Sequence, residues 1–224
     1  MKKLLIAIPA LFLGVAFTSV PSDAQYYVSF NIGAVQLMDS DTTATDPEDS
    51  VTGEFEFDSG LGVNGAVGLS LGALRLEGEL SYRQSDFDQG TLSSLTVGNT
   101  TFLFSGATGV VGGDVTSLGL MANMWYDIDT GGKLKPFIGG GIGVARVDAD
   151  IDSIVGIPIN ISGDDTVFAY QVGAGVGYDV SDKVVVTLGY RFFGTADPEF
   201  ESGGTTVEGE YQTHNIEIGM RFKF

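Results

Sequence analysis

Cysteine is absent from the 224 residues. Disulfides and thiolate metal sites are therefore excluded, and the fold has to be held by burial and backbone pairing. Histidine occurs once, at His214, so any Ser-His or Cys-His chemistry has a single candidate base. Basic residues are scarce: 11 Lys and Arg stand against 29 Asp and Glu, a net charge of −18. That excludes the basic surface a nucleic acid rewards. Beyond the opening residues no apolar run approaches the roughly 18 needed for a membrane helix, and no long segment has helical periodicity.

The one long apolar run is at the start. Lys2 and Lys3 precede "LLIAIPALFLGVAFTSV", and Ser22, Asp23 and Ala24 follow it. A basic start, a hydrophobic stretch and small residues read as a secretory signal peptide spanning 1–24, in preference to a transmembrane anchor. The remaining 25–224 would carry 9 basic and 28 acidic side chains, a net charge of −19.

What is abundant is glycine, 33 residues, and strict alternation. Glycines fall inside runs such as "FIGGGIGVA" and "YQVGAGVGY", as they do in crowded or bent strands. "GGGIG" and "GAGVG" lack the spacing of a nucleotide-binding turn, and no helix follows either. Tyr26, Val28, Phe30 and Ile32 alternate with Tyr27, Ser29, Asn31 and Gly33; Leu74, Leu76, Leu80 and Tyr82 alternate with Arg75, Glu77, Glu79 and Arg83. The pattern recurs at 61–71, 117–127, 168–178 and 184–192, and a glycine-interrupted stretch at 135–147 leaves its facing open. The last strand sets Ile216, Ile218, Met220, Phe222 and Phe224 against Glu217, Arg221 and Lys223. Eight strands result, each with one apolar face.

Connections alternate as well. "LGA", "DIDTGGK" and "DVSDK" are short turns, whereas about 39–58, 84–114, 148–165 and 194–210 are long. The long segments hold 21 of the 28 acidic residues after position 24 and no Lys or Arg. An up-and-down chain puts the short turns at one end and the acidic loops at the other. A soluble barrel with apolar residues inside would leave charge and glycine outside. Here the apolar sets are too rich in Leu, Val, Phe and Tyr and too free of polar residues, so they face lipid. The fold class is all-β: an eight-stranded antiparallel up-and-down transmembrane barrel with a polar lumen, the last strand pairing with the first.

The stretches "MANMWYDIDTGGKLKPFIGGGIGVARV" and "HNIEIGMRFKF" resemble the small outer-membrane barrels of the opacity-protein and surface-antigen type, related in fold to the transmembrane domain of outer-membrane protein A. The resemblance implies a bacterial outer-membrane location, contact with lipid and lipopolysaccharide, and insertion by the barrel-assembly machinery. It also implies that Ile218, Met220, Phe222 and Phe224 form the strand which that machinery reads. Activity does not follow from fold, since such families include adhesins and small pores.

Candidate chemistry is sparse. His214 has Glu210 four residues away but no serine beside it, unlike the lipid A deacylase motif, and reads as a rim residue. Asp148, Asp150 and Asp152 share a face if extended, a weak candidate metal site, but Ser153 and Ile159 replace the glycine and closing glutamate of a calcium loop. The charged set Arg75, Glu77, Glu79, Arg83, Arg191, Glu217, Arg221 and Lys223 predicts a lumen network of ion pairs. Such a network either plugs a barrel this narrow or gates a small channel. The acidic loops, including the turns "TDPEDS" and "ADPEFES" and the apolar "TFLFSGATGVV", are the remaining functional surface, facing an extracellular ligand or a host surface. The predicted role is non-enzymatic and needs no cofactor: envelope integrity or surface recognition and adhesion, with a narrow porin-like channel as the alternative.

Overall fold

The computed structural model describes residues 24–45, 49–97, 100–154, 157–202 and 205–224. The predicted leader, except for Ala24, lies outside the described residues, as do the centre of "TDPEDS" and most side chains of "TFLFSGATGVV". Twelve strands follow in order: β1 (Ala24–Leu37), β2 (Ser40–Thr45), β3 (Asp49–Phe57), β4 (Gly60–Leu71), β5 (Leu74–Val97), β6 (Thr100–Asp127), β7 (Leu134–Ile154), β8 (Ile157–Asp179), β9 (Val184–Thr195), β10 (Glu199–Ser202), β11 (Thr205–Gly209) and β12 (Gln212–Lys223).

Eight of them close a ring, β5-β4-β1-β12-β9-β8-β7-β6, with β6 returning to β5. All pairs are antiparallel, and the ring meets where β1 pairs β12 through Phe30↔Met220 and Ile32↔Ile218. Closure removes the unpaired edges that lipid could not satisfy. No helix among the described residues is long and apolar enough to cross a membrane. The tight β4–β5 turn places Gly72 at φ 68°, a conformation in which a side chain would be strained.

The barrel is inverted relative to a soluble protein. Phe30, Leu80, Ile142, Val172, Ile216 and Ile218 are exposed, while Glu79 and Arg83 are 1% and 2% exposed. Tyr26, Tyr126, Tyr178 and Phe222 ring the short-turn end; Tyr82, Tyr170 and Tyr190 ring the other, the aromatic girdles of a membrane barrel. The facing of β7 is now fixed: Ile138 and Ile142 point outward, and so does Arg146, whereas Ala145 and Val147 are buried inside.

The long connections carry further strand. β5 and β6 run on beyond the membrane band as one hairpin, pairing as far as Val97↔Thr100. β3 adds to the outer part of β5, and β2, β11 and β10 follow in turn. The result is a second tier above the barrel. Phe55, Phe57 and Phe87 pack there, with ring centroids 5.4 Å (Phe55–Phe87) and 5.0 Å (Phe57–Phe87) apart, alternating with Glu54 and Glu56.

Candidate functional site

The lumen is layered. At the short-turn end Arg75 bridges Glu77 (Nη1 to Oε1, 2.8 Å) and Asp127 (Nε to Oδ2, 2.9 Å). Tyr27 Oη donates to Glu77 Oε1 at 2.6 Å and Trp125 Nε1 to Glu77 Oε2 at 2.9 Å, so this carboxylate is fully engaged. Arg221 Nη1 reaches Asp127 at 3.3 Å, and Lys223 Nζ reaches Asp179 at 3.0 Å. Gly68 makes the arrangement fit, because a Cβ there would strike the Tyr27 ring.

One layer up, Arg191 links Glu79 (Nη1 to Oε2, 2.6 Å) and Glu217 (Nη2 to Oε2, 3.2 Å). Asn123 and Gln171 donate to Glu79, and Asn64 donates to Glu217 at 3.0 Å. Two glutamates and one guanidinium thus lock strands β4, β5, β6, β8, β9 and β12 across the lumen. A cavity of about 30 Å³ between Asn31, Trp125, Thr187, Arg191 and Glu217, the room of a single water, is found within it.

Above this the lumen turns apolar. Leu37, Val115, Met121, Ala145, Val147, Ala169, Phe193 and Tyr211 form one buried cluster, with Phe57, Phe87, Ala149 and Val167 packed on it. Arg83 lies directly beneath. Its guanidinium covers the Phe193 ring at 3.9 Å and donates to Ser81 Oγ at 3.0 Å and Asn215 Oδ1 at 3.3 Å.

Seven of the eight charged residues singled out from sequence therefore enter ion pairs; Arg83 is the exception among the described residues. Sequence reasoning missed Asp127, Asp179, Trp125 and Tyr27 as partners. It also missed the apolar layer. The available signal was that Val35, Leu37 and Phe193 continue the polar sets of their own strands.

The other candidates lie outside the lumen. His214 faces outward beside Tyr190, Nδ1 to Oη 2.6 Å, with Phe192 against it. Asp148 is held by Arg146 at 2.9 Å, and Arg146 also reaches Asp164 at 3.2 Å. Asp148 and Asp164 border a surface hollow of about 180 Å³ with Asp150, Ser162 and Gly163. Among the described residues no group of three His, Cys, Asp or Glu could hold a metal ion. Asp114 lies in a row of like charges, paired in register with Asp86 on one side and Asp150 on the other. Its carboxyl is pushed above the usual value by burial first and by Asp150, Asp86 and Asp152 next.

Comparison with known proteins agrees with the fold. The chain is 29% identical over 133 residues to opacity protein opA50 of Neisseria gonorrhoeae, covering 49% of this chain and 52% of that one. It is 27% identical over 125 residues to a candidate adhesin, RP828, of Rickettsia prowazekii (strain Madrid E), covering 53% and 56%. The chain thus spans about half the length of the curated relatives it matches. Among solved structures, Neisserial surface protein A superposes with TM-score 0.50 at 19% identity over 91% of this chain and all of that one. OprG of Pseudomonas aeruginosa does so with TM-score 0.51 at 13% identity over 90% and 96%. Both show the same kind of barrel. The model of the outer membrane protein beta-barrel domain matches residues 6–224, and with an apolar exterior, a polar lumen and eight closed strands behind it, the chain belongs to that family of the bacterial outer membrane.

Proposed function

We propose that this barrel is a closed, non-enzymatic scaffold that holds its outer strand tier at the cell surface for recognition or adhesion. The observation that carries the reading is the filled lumen: an interlocked charge network under a continuous apolar cluster. A channel needs a water path, and the buried side chains of Leu37, Val115, Met121, Val147 and Phe193 fill the lumen above the charge network. The likeness to an opacity protein and a candidate adhesin supports the same role. The outward position of His214, flanked by aromatics rather than by a nucleophile, supports a structural residue.

On this reading the outer tier meets the ligand, its carboxylates are where divalent cations would bridge to lipopolysaccharide phosphates, and the outward face of Ile218, Met220, Phe222 and Phe224 is offered to the assembly machinery. The test is adherence of a non-adherent bacterium made to express the chain. Adherence gained with the intact tier should be lost when 39–58 and 196–210 are each replaced by a short turn, while the unboiled gel shift of a folded barrel persists. Adherence unchanged by the exchange overturns the role.

A further inference from the structure

The outer tier has a seam. Pairing of β8 with β9 stops at Ala169↔Thr195, although β8 stays paired with β7 as far as Ile157. Among the described residues the last main-chain bond across this boundary is Ala196 N–H to the Phe168 carbonyl, 2.8 Å. Beyond it, one edge of β8 has no strand partner among the described residues. On the far side, β10 pairs with β11 alone among the described residues and ends their sheet. Two open edges thus face each other where the tier would otherwise close.

Between β8 and β10, which lie against each other, a carboxylate bridges the two edges. Asp165 Oδ1 accepts the N–H of Thr166 on β8 at 2.7 Å, and its Oδ2 accepts the N–H of Glu199 on β10 at 3.1 Å. In a ladder each of those donors would meet a main-chain carbonyl of a neighbouring strand. Asp165 stands in for the missing strand on both sides at once. Open edges are ready templates for pairing, and a side chain that occupies their donors keeps them from doing so.

We propose that the seam between β8 and β10 is a docking slot for an extended basic peptide segment, which enters as an added strand and displaces the Asp165 carboxylate. Edge pairing supplies affinity in this mode and the flanking side chains supply selectivity. Asp164 and Asp165 on β8, Asp197 just before β10 and Glu199 on β10 flank the seam along the chain, and Arg146, opposite Thr166 on β7, is already held by Asp148 and Asp164. Lysine or arginine at alternate positions of the incoming strand matches that charge. β10 lies against β8, so the incoming strand takes the place that β10, four residues long and outside the membrane ring, has to give up. The proposal rests on the surface-recognition reading and names the partner chemistry for it.

The test is fluorescence anisotropy with the refolded full barrel in detergent and three labelled decapeptides: alternating Lys-Val, the same peptide N-methylated at every second residue, and alternating Glu-Val. The Lys-Val peptide is expected to bind at least tenfold more tightly than its N-methylated form, and Glu-Val not at all. Thr166→Pro removes the β8 donor that faces the slot and should erase the difference, with the gel shift confirming folding. A second variant, Glu199→Pro, removes the donor on β10 and should do the same. Equal binding of both lysine peptides shows charge attraction alone and overturns the slot while leaving surface recognition standing. No binding by any peptide also overturns it, whereas the recognition role itself fails only in the adherence assay.

Discussion

The guanidinium of Arg83 rests on the face of Phe193, 3.9 Å from the ring centroid, and no carboxylate among the described residues lies within ion-pair distance of it. Arg191, on the neighbouring layer, grips two glutamates. Two buried arginines of one lumen thus differ in electrostatic circumstance, and they should respond differently to the same substitution. Removing Arg191 leaves Glu79 and Glu217 buried without their cation, so Arg191→Met should cost about 3–5 kcal/mol. Removing Arg83 eliminates a desolvated charge at the loss of a cation–π contact and the hydrogen bonds to Ser81 and Asn215, so Arg83→Met should be close to neutral, within about 1 kcal/mol. Urea unfolding in lipid vesicles, read by the gel shift, checks both. Equal losses would mean that Arg83 has an acidic partner.

The apolar layer gives a second prediction. Phe193 is fully buried and packs edge-on against Tyr211. Phe193→Ala should therefore destabilise the barrel by about 3–5 kcal/mol, the usual cost of emptying an aromatic site in a packed core. A loss under about 1 kcal/mol would show that the layer is loose.

The exterior gives a third. Ile218 is exposed opposite Ile32 at the β1–β12 closure, in the middle of the outward apolar band. Ile218→Arg should cost about 2–4 kcal/mol in a bilayer, the depth-dependent penalty of a midplane charge. The same substitution at exposed Asp58, in the outer tier, should be close to neutral. Equal effects at the two positions would remove the lipid assignment of that face.

A fourth concerns acid. Asp114 has a raised carboxyl pKa in the folded tier, through burial and then Asp150, Asp86 and Asp152. Because the folded value is raised, the folded tier binds the proton more readily than the unfolded chain does. Its contribution to stability is full below the ordinary carboxyl value and is lost as pH rises through the folded value. Asp114→Asn should therefore raise the stability of the tier at neutral pH, and the advantage should shrink as pH falls through that window. Thermal midpoints of the two proteins from pH 7 down to pH 3.5 would show it; a gap that widens on acidification contradicts the sign.

Much of this was legible in the residues. Alternation fixed which face of β5 and β12 meets lipid, because Leu74 to Tyr82, broken by Gly78 alone, and Ile216 to Phe224 are apolar sets. The short turns fixed the up-and-down order, and the charged sets predicted ion pairs that the lumen contains. The facing of β7 was not legible, since glycine fills its inner positions and Arg146 sits among the outer ones. The apolar layer escaped notice because Val35, Leu37 and Phe193 sit in sets defined by their polar members; period-two reading sorts residues by face and says nothing about height in the barrel. The outer hairpin of β5 and β6 was open to a reading of 84–114 as a strand extension, whereas β2, β3, β10 and β11 were hidden by their own acidity, although Phe55 and Phe57 alternate with Glu54 and Glu56. The Asp165 bridge depends on where a ladder stops, which no local pattern records.

Closure of the lumen is the claim on which the functional reading turns, and single-channel recording tests it most directly. The refolded barrel of residues 25–224, shown folded by its gel shift, is placed in a planar bilayer. A folded barrel that stays silent is the predicted result; stable openings of uniform size, altered by Glu77→Gln or Arg221→Met, would contradict it and make the lumen charges a gate.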